Sequence, residues 1–80
     1  MNLREVESMI LELRKIDFAS CEEYIEDLIQ NYNYSKTDIS WLRIQLASLH
    51  TSSRKYKKAY EIIAGILDEA MDDLATIESN

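Results

Sequence analysis

An 80-residue chain with 46% hydrophobic and 30% charged residues has the size of one small domain over residues 1–80 and is too apolar to stay disordered. Its formal charge of −6 speaks against the broad basic surface that duplex nucleic acid requires, and its single cysteine excludes an internal disulfide and a cysteine-based zinc site. No apolar run approaches the roughly 18–20 residues that cross a bilayer, and the acidic opening MNLREVES does not read as a signal peptide, so a reducing, cytoplasmic setting is expected.

With one glycine and no proline, little interrupts helices, and an all-α fold is expected. Asn2 and Glu5 form a capping-box pattern ahead of Leu3, Val6, Met9, Ile10, Leu13 and Ile16, which predicts a first helix over about 3–16. Ser20 and Glu23 repeat that pattern before Cys21, Tyr24, Ile25, Leu28, Ile29 and Tyr32, predicting a second helix over roughly 21–32. The polar stretch NYNYSKTD is the longest linker, with Asn31 or Asn33 suited to a left-handed C-cap and Ser35 or Thr37 to the next N-cap. A third helix over about 38–50 places Ile39, Leu42, Leu46 and Leu49 on one face and Trp41, Ile44 and Ala47 on another, as a central helix would. Ser52 or Ser53 is expected to cap a fourth helix whose stripe runs through Tyr56, Ala59, Tyr60, Ile63, Ile66, Leu67, Ala70, Met71 and Leu74 towards Ile77. At about 24 residues it is twice a typical helix and outruns the other three. The architecture is a four-helix antiparallel bundle or a pair of helical hairpins with a long C-terminal helix.

The charges of that last helix oppose its dipole. Arg54, Lys55, Lys57 and Lys58 crowd its positive N-terminal end, and Asp68, Glu69, Asp72 and Asp73 its negative C-terminal end. Solvent screening is one account. A second is self-association: two antiparallel copies would neutralise both ends, with Tyr60, Ile63, Leu67, Met71 and Leu74 in the contact and Asp68 and Asp72 facing the partner's cations, giving a homodimer or higher oligomer. A third is capture of an anionic ligand or an acidic partner segment by Arg54, Lys55, Lys57 and Lys58, with His50 beside them.

A weak internal repeat runs through the chain. Phe18, Cys21, Ile25 and Leu28 are spaced as Tyr56, Ala59, Ile63 and Ile66 are, 38 positions further on, and each set opens the second helix of a hairpin. Within residues 39–67, Leu46, Ala47, His50, Tyr56, Ala59, Ile63 and Ile66 resemble the small and large pattern of a tetratricopeptide repeat, with Trp41 near the family's early aromatic. Ala47 stands where the family favours Gly and His50 where it favours Tyr, no closing Pro exists, and the offset is not the family's 34. The resemblance implies a scaffold that binds peptides or partner proteins without catalysis. An up-down bundle accounts for the same stripes.

Chemistry-bearing constellations are sparse. His50 and Cys21 are a conceivable base and nucleophile, but Cys21 lies on an apolar stripe where an inert buried thiol is common, and His50 complements the dipole at a helix C-terminus. Asp68 with Asp72, and Glu69 with Asp73, share a helix surface at cation-binding spacing, yet read as a solvated face. Gly65, mid-helix, reads as a site of close helix packing. Neither an enzyme nor a cofactor or metal is expected. The expectation is a protein–protein interaction module, acting as an adaptor, regulator or stoichiometric inhibitor. In size, acidity and helical character it resembles phage-encoded inhibitors and bacteriocin immunity proteins. The alternatives are a sensor of a small phosphorylated ligand at the Arg54 to Lys58 cluster and a DNA mimic built on Glu22, Glu23, Glu26 and Asp27.

Overall fold

The computed structural model describes residues 2–79, with side chains described for 2–75, and holds four helices: α1 (Leu3–Ile16), α2 (Phe18–Asn31), α3 (Lys36–Ser52) and α4 (Tyr56–Ser79). The all-α expectation holds, with no strand among the described residues. The side chain of Ile77, placed on the α4 stripe above, lies outside the described residues.

The caps explain the boundaries. Asn2 Oδ1 accepts from the Glu5 N–H at 2.9 Å, as the pattern required. α2 starts earlier than expected, because Asp17 and not Ser20 is its N-cap. The Asp17 carboxylate accepts from the N–H groups of Ala19 and Ser20, at 3.3 Å each, and from the Ser20 hydroxyl at 2.9 Å. The same residue closes α1 by donating its own N–H to Leu13 O at 2.8 Å, so one extended residue serves both helices. Those hydrogen bonds, from the Ser20 hydroxyl foremost and then the Ala19 N–H, hold the Asp17 carboxyl below its usual range. Ser35 caps α3, accepting from the Asp38 N–H at 3.2 Å. Tyr32 ends α2 in an extended conformation, and neither Asn31 nor Asn33 has a positive φ.

Ser52 and Ser53 belong to the end of α3 and do not cap α4. The Ser53 hydroxyl donates to Leu49 O at 3.0 Å, the Arg54 N–H to Thr51 O at 3.1 Å and the Lys55 N–H to His50 O at 2.8 Å. The last two bonds form a Schellman motif, which satisfies α3's orphan carbonyls and needs a left-handed residue between its arms. Arg54 is that residue, with φ 63°.

Substantial helix contacts follow chain order: α1 packs on α2, α2 on α3 and α3 on α4. The result is a flat array measuring 48 × 30 × 18 Å. Its core joins Val6 and Ile10 of α1, Cys21, Ile25 and Leu28 of α2, and Leu42, Leu46 and Leu49 of α3. From α4, Ala59 is buried and Ile62 packs against the core from the side. Arg14 ties α1 to α3 through the hydroxyls of Ser52, at 2.8 Å, and Ser48, at 3.4 Å.

Gly65 is not a close-packing site: a Cβ added there would meet nothing within 4 Å. The chain's glycine therefore stands mid-helix where nothing requires it, while its one left-handed residue among those described is an arginine. Gly65→Ala should raise stability by about 0.5–1 kcal/mol through the lower backbone entropy of alanine. Arg54→Gly should raise it by up to about 1–2 kcal/mol by relieving the left-handed backbone. Urea denaturation measures both. Asp17→Asn keeps a cap acceptor but removes the charge. Because the folded carboxyl titrates below its unfolded value of 3.8, its stabilisation is fully present above that value and lost as pH falls through the folded one. The melting-temperature gap between wild type and Asp17→Asn should accordingly be widest near neutrality and shrink below about pH 4.

Candidate functional site on the outer face of α4

α4 presents two faces with different chemistry. One meets α3: Lys36 Nζ lies 2.9 Å from Asp73 Oδ2 and Arg43 donates to Glu69 Oε1 at 2.9 Å, with Ile62 packed beside them. Asp73 opposes the start of α3 and Glu69 its second turn, so the two helices run antiparallel. At about 100° per residue, Tyr56, Tyr60, Ile63, Leu67, Met71 and Leu74 fall roughly 120–200° away from the Glu69 edge. These six form the larger apolar stripe of the helix, and all are 47–73% exposed. α4 thus turns its charged edge to its neighbour and its apolar stripe to solvent.

The internal repeat clarifies this inversion. Shifted back by 38 positions, Tyr60, Ile63 and Leu67 correspond to Glu22, Ile25 and Ile29 of α2. Those three look towards α3: Glu22 approaches His50 and Lys55, Ile25 is fully buried, and Ile29 packs on the shared core. The positions by which α2 meets its following helix are the ones that α4 leaves exposed. Six large apolar side chains on one helix face make a contiguous patch of the kind that marks contact surfaces.

The opposed end charges of α4 find partners within the chain. Lys55 Nζ lies 3.5 Å from Glu22 Oε2, and Lys58 lies along a cleft with Glu22, Glu26 and Glu61. At the other end, Asp73 and Glu69 take Lys36 and Arg43, and Asp73 holds the Lys36 ammonium above its usual range, mainly through their hydrogen bond. Surface pairs of this kind contribute about 0–1 kcal/mol each, enough to offset a misplaced end charge. Arg54, Lys57, Asp68 and Asp72 are exposed. Of the predicted basic cluster, Lys55 is paired with an α2 carboxylate, while Arg54, Lys57 and Lys58 are exposed. His50, expected beside an anion or partner, is only 4% exposed, and its Nε2 lies 3.7 Å from Glu22 Oε1.

The cleft between α2 and α4, about 470 Å³ in volume, is floored by Leu46 and Ile62 and walled by Glu26 and Glu61. Carboxylates on both walls do not suit an anion. Among the four carboxylates considered as a DNA-like row, Glu22 faces Lys55 and His50, and Asp27 accepts from the Asn31 amide at 2.6 Å. Cys21 and His50 have separate surroundings: the thiol is fully buried and points at Ile10 O, 3.6 Å away, while the imidazole faces Glu22. Sequence reasoning named the stripe, and named Glu22 only as one of a row of acids; it missed that Lys55 and His50 converge on it, because nothing in a row of glutamates distinguishes one that a distant turn will reach.

Burial raises the Cys21 thiol above its usual range, against a smaller opposing effect of Arg14. Its reaction with a disulfide reagent at neutral pH should be slower by at least tenfold in the folded protein than in denaturant. Equal rates would mean that the inner face of α2 is open.

Comparison with protein-family models, with curated proteins and with solved structures returns no match to this chain.

Proposed function

We infer that the chain is a non-enzymatic protein–protein interaction module, an adaptor, regulator or stoichiometric inhibitor, and that the outer face of α4 is its contact surface. The carrying observation is the exposed stripe from Tyr56 to Leu74 on a helix whose opposite edge already holds the chain's own ion pairs. A soluble helix ordinarily turns its widest apolar stripe inward, and one that turns it outward gains most from burial against a partner. Among the described residues no group of three or more His, Cys, Asp or Glu side chains is placed to hold a metal ion. No helix among those residues is long and apolar enough to cross a membrane. A buried thiol suits a reducing, cytoplasmic setting. An anionic ligand at Arg54, Lys55, Lys57 and Lys58 draws less support, because Lys55 is paired with Glu22 and Lys58 shares its cleft with Glu22, Glu26 and Glu61.

The test compares two baits in affinity capture: the wild-type chain and Leu67→Asp with Met71→Asp. Both positions are more than half exposed, so the double variant should keep wild-type helicity by circular dichroism. Proteins held by the wild type, a differently tagged second copy of the chain included, should be lost from the variant. Retention of the same proteins by both baits would show that contact is made elsewhere.

A further inference from the structure

We propose, on the reading of α4's outer face as a contact surface, that its occupant is α4 of a second copy of the chain, lying antiparallel with Ile63 of each copy against Leu67 of the other. The stripe is one helix wide and nearly as long as α4. Its members recur at intervals of four, three, four, four and three residues, the spacing of a seam made for another helix. An extended segment or a flat surface would not follow that line.

The array also specifies the orientation. α2 has helices on both sides, α1 and α3, whereas α4 has α3 alone as a substantial neighbour. The corresponding positions of α2, Glu22, Ile25 and Ile29, receive α3. What α4 lacks is the equivalent helix on its outer side.

α4 can supply that helix to itself because its stripe is self-complementary in reverse. With Ile63 level with the second copy's Leu67, Tyr56 comes level with Leu74 and Tyr60 with the small Ala70, so large side chains meet medium or small ones. One twofold axis covers both stripes and closes the assembly, as an isologous contact does. Head-to-tail stacking onto α1 would instead leave an open chain of subunits. It would also set the stripe against a helix whose exposed surface mixes Met9, Leu11 and Ile16 with Arg4, Glu7, Glu12 and Lys15 and carries no equally continuous apolar seam.

Charge and area agree. The same register brings Lys57 level with Asp73 of the second copy and one residue from its Asp72, so the cationic start of one α4 meets the acidic end of the other. Glu61 also comes level with Glu69 and one residue from Asp68, a like-charge approach at the rim that salt screens. Six large side chains, each about half exposed or more, present several hundred Å² per copy, near the scale of about 800 Å² per partner in a standard interface.

Sedimentation equilibrium of the purified chain, with no other protein present, should show a dimer that Leu67→Asp with Met71→Asp converts to monomer. A wild-type chain that is monomeric at several hundred micromolar overturns the second copy as occupant. It leaves the contact-surface reading standing if the capture experiment still separates the two baits. If both baits retain the same proteins, that reading falls as well. Direction is tested by oxidative cross-linking. Tyr56→Cys mixed with Leu74→Cys should form an intermolecular disulfide much faster than either variant alone, the native Cys21 being buried. Faster cross-linking of Tyr56→Cys with itself would mean parallel helices and would overturn the proposed arrangement.

Discussion

Everything distinctive about this chain depends on how α3 packs. Leu42, Leu46 and Leu49 close against Val6, Ile10, Cys21, Ile25 and Leu28, a cluster drawn from α1, α2 and α3 against which α4 adds Ile62. A helix has room for few neighbours, and α3 has already given one side to α2 and its Ser48 and Ser52 to Arg14 of α1. The remaining edge, holding Lys36 and Arg43, is the one that α4 receives. Along that edge α4 sets Glu69 and Asp73 beside Arg43 and Lys36, with Ala59 and Ile62 turned to the core, and its larger apolar stripe lies on the other side of the helix, away from the molecule.

The same packing resolves the charge inversion of α4. Antiparallel neighbours bring the start of one helix beside the end of the next, so cations at the start of α3 lie against acids near the end of α4. Glu22 of α2 does the same for Lys55, across the Schellman turn that lets α4 reverse. A conflict between charge and dipole that looks severe along the sequence is modest in three dimensions. Beside the exposed charges stands a continuous apolar stripe, and it carries the functional reading further than the basic cluster does.

Arg54 and Gly65 show a local disagreement between residue and backbone. A left-handed arginine costs backbone energy, and a glycine mid-helix costs entropy, with no packing to compensate in either case. Gly65 lines the cleft between α2 and α4 and keeps its wall free of a side chain. Arg54 places a guanidinium at the exposed turn ahead of the stripe.

The sequence by itself determined the number of helices, their type and the composition of the core, because periodicity and the near absence of Gly and Pro act locally and need no knowledge of neighbours. It also marked the apolar stripe of α4, residue by residue. Helix starts were less legible: Asp17 and Ser20 are both good caps, and only the one-residue break shared with α1 chooses between them. Ser52 and Ser53 read equally well as caps of α4, and the Schellman geometry assigns them to α3. Which way α4 faces the sequence left open, an outward stripe being one of three accounts of its charges. A hydrophobic stripe records that a helix has a side to bury, but whether the chain holds a surface to bury it against depends on how many neighbours the other helices already have.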